Sequence, residues 1–161
     1  MLYRLYQPAD FAALYAVEEL CFQPPLRFPR ATMRSLVNSP NAATWIAEEN
    51  AELIGFAVIE WEAERNTDTR IAYIQTVEVT PDSRRLGVGD ELLRRVEDSA
   101  RAVGAQTIWL HVDEQNFAAI RLYERRGYAP QGREEHYYAR RRPALIYSKP
   151  LTMASDSAST P

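Results

Sequence analysis

Cysteine occurs once in these 161 residues, at Cys21, so no disulfide can close within the chain and nothing marks a secreted, cross-linked scaffold. Histidine occurs twice, and no group of His, Cys and acidic residues stands at metal-ligand spacing, which predicts no metal site. No apolar run approaches the roughly 20 residues that span a bilayer. The first ten residues, MLYRLYQPAD, hold no apolar segment of the kind a secretory leader carries. Lysine is nearly missing: of 19 basic residues only Lys149 is not arginine. A strong charge of either sign is missing too. The formal net charge of −3 argues against nucleic acid or an anionic membrane as a direct partner. These absences leave a cytoplasmic protein as the expectation. The apolar fraction of 46% is enough to fill one core at this length.

What is present reads as alternating short elements. LYRLY alternates like a strand, and Pro8 and Asp10 then open a helix, FAALYAVEELCF, with apolar residues near helical spacing. QPPLRFP, residues 23–29, holds three prolines and cannot be regular. A short helix, ATMRSLVNS, follows and stops at Pro40. TWIAEEN and LIGFAVIEWEAE read as strands joined by a tight turn at residues 50–52, and RIAYIQTVEV as the next strand. Residues 87–103 form a long amphipathic helix with Leu92, Leu93, Val96, Ala100 and Val103 on one face. TIWLHV is a strand, NFAAIRLYERRG a helix ending at a glycine, and YAPQGREE and PALIYSKPL are the last two strands. Strand, helix, strand, helix after residue 70 implies two neighbouring parallel strands; the hairpins before it imply antiparallel pairing. The expected fold is one mixed α/β domain over residues 1–151, with 152–161, small and polar, as a flexible tail.

The stretch VTPDSRRLGVGDELL puts Gly87 and Gly89 at the first turn of a helix, where glycine is costly. The first N–H groups of a helix have no internal partner and attract phosphate. Glycines there let a bulky anion approach the backbone, and Arg84 and Arg85 add charge. A P-loop is excluded because no Gly-Lys-Ser/Thr follows, and a dinucleotide fingerprint because Leu92 stands where its third glycine belongs. A plain strand-to-helix turn explains the two glycines alone.

The wider pattern from Val79 through Pro81, Arg84, Gly87 and Gly89 resembles the acetyl-CoA signature of the GNAT superfamily of N-acetyltransferases. WLHVDEQNFAAIRLYERRGY downstream resembles that family's next strand and helix. Within it, the likeness is to protein N-terminal acetyltransferases of the RimI and NatE types. The resemblance implies a GNAT-like single domain: a mixed, mostly antiparallel sheet of about six or seven strands with helices on both faces, the fourth and fifth strands parallel. It implies acetyl-CoA as cosubstrate, with Val77, Glu78 and Val79 lending backbone groups to its acyl end, at a bulge in the strand. Arg84, Arg85, Leu86, Gly87, Val88 and Gly89 would hold the pyrophosphate. Asn116 would touch the cofactor from the start of its helix, where it is equally a good N-cap.

Acetyl transfer to an amine needs a neutral amine, a polarised carbonyl and a protonated leaving thiolate. The resemblance makes Tyr123 the acid, also at cofactor-contact distance; a phenol with an ordinary pKa near 10 carries its proton at neutral pH. Core spacing of Ile120 and Tyr123 offers a packing role instead. The carboxylate bases of related enzymes are missing: Tyr73 and His111 stand in their places, as in NatE-type enzymes, which work through an ordered water. In IWLHV the apolar residues alternate away from His111, so its face is not plainly core. Glu78 is a fallback base, but strict alternation along YIQTVEV sets it on the face opposite Tyr73. Tyr137 and Tyr138 match substrate-gripping tyrosines, and Phe22 and Pro25 lie in the loop that lines the family's amine pocket. Arg140–Arg142 read as a solvated charge run. The expected acceptor is the α-amine of a protein N-terminus. A small-molecule amine (amino acid, polyamine or antibiotic) is the alternative, and a non-catalytic acetyl-CoA-binding regulatory module a second. Cys21 lies too far along the chain from these motifs to be argued as a nucleophile.

Overall fold

The computed structural model describes residues 1–151; the expected flexible tail, 152–161, lies outside the described residues. Seven strands form one sheet in the order β1-β2-β3-β4-β5-β7-β6. They are β1 (Leu2–Leu5), β2 (Ala42–Glu49), β3 (Glu52–Ala63), β4 (Arg70–Val79), β5 (Ala105–Asp113), β6 (Ala129–Ala139) and β7 (Arg142–Pro150). Four α-helices pack on it: α1 (Phe11–Cys21), α2 (Arg30–Asn38), α3 (Val88–Ala102) and α4 (Phe117–Arg125). Neighbouring strands run antiparallel except β4 and β5, which are parallel. The mixed, mostly antiparallel sheet expected from the sequence is therefore present, with helices on both faces.

The two faces bury separate cores. Phe11, Leu14 and Val17 of α1 and Met33 of α2 meet Ile46, Phe56 and Val58 on one side. Leu92, Leu93, Val96 and Ala100 of α3 meet Ala57, Ile59, Ala72, Ile74 and Ile108 on the other. The predicted turn between β2 and β3 is a two-residue one, with Asn50 and Ala51 both at positive φ, which suits the twist of a tight hairpin.

Two irregularities in the ladder shape the site. Val58 pairs with Thr76 while its neighbour Ile59 pairs with Ile74, so Gln75 is an extra residue, a β-bulge in β4. Before the bulge Ala72 and Ile74 face the α3 core; after it Val77 and Val79 do. A one-residue insertion exchanges the faces of everything beyond it. Thr76 and Glu78, opposite Val58 and Phe56, consequently share the α1 face with Tyr73. The expectation that Glu78 lies opposite Tyr73 is thereby corrected, and the bulge itself lies at Gln75, ahead of Val77–Val79. The second irregularity is in the last hairpin. Between the pairs Glu134–Ala144 and Ala139–Arg142, four residues of β6 oppose the single Pro143. β6 accordingly runs four residues beyond its expected end at Glu135, and the excess lifts Tyr137 and Tyr138 toward the sheet's centre.

Candidate functional site

The parallel pairing of β4 with β5 ends at Ile74 and Leu110, and the two strands part beyond it. Tyr73 sits opposite Trp109 in the last paired turns, and His111 lies two residues further along β5, on the same face. The Tyr73 hydroxyl reaches up to His111 Nδ1 at 2.6 Å. Tyr137 stacks flat on the imidazole, ring centroids 4.2 Å apart and planes within 6°. Its hydroxyl stands 3.4 Å from that of Tyr73. The hairpin excess in β6 is what brings Tyr137 there.

Electrostatics fix the protons in this cluster. Burial, and then the Tyr137 hydroxyl, push the Tyr73 phenol far up, so it keeps its proton. Burial holds the His111 imidazole below its ordinary value, while Glu134 pulls it the other way. A neutral imidazole beside a protonated phenol accepts at Nδ1 and carries its hydrogen on Nε2. His111 Nε2 is buried and makes no hydrogen bond among the described residues. The Glu134 carboxylate stands 3.7 Å from it, too far for one but close enough to favour a positive ring. The pair is thus poised to take up one proton through the Tyr73 oxygen: the phenol passes its own to Nδ1 as it receives another.

Tyr123 comes from α4, whose N-cap is Asn116, its side chain accepting from the Ala119 N–H at 3.2 Å. Tyr123 is only 5% exposed, packs edge-on against Tyr128 and lines the same cavity as Tyr73 and His111. Burial, with help from Glu78, pushes its phenol up, so it too holds its proton at neutral pH. Tyr123 therefore belongs to the core and lines the cavity at once.

The groups expected to hold acetyl-CoA fit it. Thr80 N–H bonds back to Ile54 of β3, so by strand alternation the peptide groups of Val77 and Val79 face the gap where β4 and β5 part. Gly87 caps α3 at φ +81°, and a Cβ there would enter open space. Arg85 also has positive φ, a backbone feature that the turn before α3 shares with anion-binding turns. At Gly89 a Cβ would come within 3.3 Å of Leu122, so its glycine serves close packing of α3 on α4. Leu86 is exposed, while Val88 is buried and offers only its main chain. Arg84 does not reach outward: its Nε donates to the Val79 carbonyl at 2.9 Å and its Nη2 lies 3.6 Å from Cys21 Sγ. It braces the loop rather than standing free for phosphate, and it brings Cys21, distant in sequence, against the motif. The Glu78 side chain is buried and turned to α1, and its peptide groups alternate toward β3, so the expected backbone contact of Glu78 with the cofactor does not face the gap.

A cavity of about 450 Å³ joins Tyr73, Val77, His111, Asn116 and Tyr123 to the 22–29 loop. Phe22, Pro25, Phe28, Tyr137 and Tyr138 all line it. The loop is pinned at Phe28, whose N–H donates to Glu18 Oε2 at 2.8 Å and whose carbonyl accepts from the Tyr15 hydroxyl at 2.8 Å. Asp113 lines the cavity and is held by both nitrogens of an Arg142 fork, at 2.8 and 3.2 Å. Arg142 is therefore an anchor, not part of a solvated run. The other histidine, His136, has positive φ and accepts from the Arg141 N–H, so it shapes the hairpin end. Sequence reasoning missed Glu18, Gln75, Asp113 and Glu134. The signal for Asp113 was its place straight after LHV; the others depend on a bulge or on a contact far along the chain. Among the described residues no cluster of His, Cys, Asp and Glu could hold a metal, and no helix is long and apolar enough to cross a membrane.

Comparison with known proteins gives the chain's family and fold. Residues 11–128 match the model of the acetyltransferase (GNAT) family. A streptothricin acetyltransferase of Streptomyces lavendulae is 36% identical over 89 residues, 55% of this chain but 45% of that protein, so the match spans under half of that relative. The ribosomal protein bS18 alanine N-acetyltransferase of Escherichia coli is 32% identical over 108 residues, 65% of this chain and 69% of that one. Its solved structure superposes with a TM-score of 0.81 at 26% identity, covering 95% of both chains. Arabidopsis thaliana NAA60, solved with acetyl-CoA, shares the fold with a TM-score of 0.81 at 21% identity, covering 93% of this chain and 98% of that one.

Proposed function

The chain belongs to the acetyltransferase (GNAT) family, and from that premise we propose that it transfers an acetyl group from acetyl-CoA directly to the α-amine of a protein N-terminus. The observation that carries this reading is the 2.6 Å bond between Tyr73 and a neutral His111 on the acceptor side of the cavity. An α-amine has a pKa near 7.7–8.0 and a lysine amine near 10.4, so the first is easier to deprotonate by about 3–4 kcal/mol. An imidazole held below its usual value suits the easier task and is a poor match to the harder one. The relative that acts on the alanine of ribosomal protein bS18 supports an N-terminal acceptor for this chain as well.

Acetyl-CoA supplies the activated thioester. The Val77 peptide groups, the Val79 N–H and the turn from Arg84 to Gly89 would hold it, with Asn116 at the mouth of α4. Tyr73 receives the proton leaving the amine and relays its own to His111. Glu134 steadies the charged ring. Tyr123, protonated and lining the same cavity, would supply the proton that the leaving thiolate requires. Phe22, Pro25, Tyr137 and Tyr138 hold the acceptor's first residues.

A small-amine acceptor has the streptothricin acetyltransferase likeness behind it. Mass spectrometry of acetyl transfer separates the readings. Peptides with free or blocked α-amines, with and without an internal lysine, are offered beside a pool of small amines. Modification confined to free α-amines is the expected outcome. Modification of small amines alone would sink the N-terminal reading, and acetyl-CoA binding with no transfer at all would point to a regulatory module.

A further inference from the structure

Two buried carboxyls beneath the cavity have no part in the chemistry above. Glu18 of α1 is 0% exposed and Glu78 of β4 is 3% exposed. Each has one oxygen satisfied: Glu18 Oε2 by the Phe28 N–H at 2.8 Å, Glu78 Oε2 by the Thr76 hydroxyl at 2.7 Å. Each leaves its other oxygen, Oε1, buried with no donor among the described residues. Two orphaned carboxylate oxygens would be costly; one proton between them turns both into a single hydrogen bond. Burial first, and then the hydrogen bond to Glu18, hold the Glu78 carboxyl well above the ordinary range, in its acid form.

Among the described residues the surroundings offer no cation that could replace that proton. Cys21 on α1 is a thiol pushed up by burial, and Tyr15 is committed to the Phe28 carbonyl. Tyr123 faces Glu78 from α4 as a protonated phenol. Arg84 is turned to the Val79 carbonyl and Cys21, and Arg27 to the carbonyls of Phe22 and Glu19. Met33 of α2 and Phe56 of β3 are apolar.

We propose that one proton shared by Glu78 and Glu18 is a positioning device for the acceptor: it clamps α1, and through Phe28 the 22–29 loop, onto β4, and its loss at alkaline pH loosens the loop and weakens acceptor binding. The effect on binding rests on the reading that this loop lines the acceptor pocket. The clamp itself does not.

The test follows amide hydrogen exchange at Phe28 and peptide KM across pH, in the wild type and in Glu78→Gln, whose amide donates without a titrating proton. In the wild type, Phe28 protection, corrected for the intrinsic alkaline rise in exchange, should fall through one transition. Peptide KM should climb there toward about tenfold per pH unit, with the KM for acetyl-CoA unmoved. In Glu78→Gln both profiles should be flat, and the carboxylic-acid C=O infrared band of the buried acid should be gone. Glu18→Gln provides the same comparison from the other side if Glu78→Gln does not fold. Flat Phe28 protection in the wild type, or the same transition in both proteins, overturns the clamp. A chain that acetylates no peptide defeats only the acceptor reading, since Phe28 exchange still decides the clamp.

Discussion

Tyr123 and Tyr73 are both phenols that keep their protons and line one cavity, yet they are expected to fail differently. Tyr123→Phe keeps the ring packed on Tyr128 and removes only the proton donor. Its kcat should fall about 10²- to 10⁴-fold with the melting temperature nearly unchanged, measured by steady-state kinetics beside a thermal scan. Tyr73→Phe and His111→Ala each break one relay, so the double variant should lose little more than either single one, a non-additivity read from a double-mutant cycle. Glu134→Gln removes the one group that raises His111. The acid limb of kcat should then move to lower pH; a limb that stays put would clear Glu134 of any part in the relay. The three catalytic candidates were legible in the sequence because a family resemblance marked their places. Glu134 was not, since it meets His111 only through a hairpin whose register no local pattern announces.

At the scale of elements, periodicity located every strand and helix to within a few residues, and the parallel β4–β5 pair followed from their order. What stayed hidden was one extra residue. YIQTVEV reads as an unbroken alternation whether or not Gln75 bulges, and only the partner register on β3 shows that Tyr73 and Glu78 share a face. That register is guarded at Gly55, where a Cβ would lie 2.7 Å from the Glu78 carbonyl oxygen. Gly55→Ala should therefore push β4 outward and cost about 1–3 kcal/mol, seen as a lowered denaturation midpoint with reduced kcat. A second fastening is Glu97 on α3, 0% exposed, which takes Arg126 at 2.7 Å, the Tyr128 hydroxyl at 2.9 Å and Lys149 at 3.3 Å. These partners hold its carboxyl below the usual range even though burial, the largest influence, opposes them. Glu97→Ala leaves Lys149 without its carboxylate and Arg126 with Asp90 alone, and should cost about 3–5 kcal/mol, measured by urea unfolding.

For the molecule as a whole, these two buried glutamates tilt stability in opposite directions with pH. Glu78 is raised in the folded state, so its contribution is full below the ordinary glutamate value and is lost as pH climbs through its folded one. Glu97 is lowered, so its contribution is present above the ordinary value and is lost as pH falls through its folded one. Urea midpoints across pH should therefore peak near the ordinary glutamate value and decline on both sides, with Glu78→Gln flattening the alkaline side alone. The parting of β4 from β5 has a further consequence, for supply rather than for chemistry. The Val77 peptide groups and the Val79 N–H face a gap with no strand across it, a sheet edge set in the middle of the protein, while the Val79 carbonyl is taken by Arg84. A molecule seated there acts as the missing strand, and one at a hundred times its Kd adds about 2.7 kcal/mol to the folded state. The lifetime of this enzyme against cellular proteases would then rise and fall with the acetyl-CoA pool, making its abundance a slow record of how well the cell is fed.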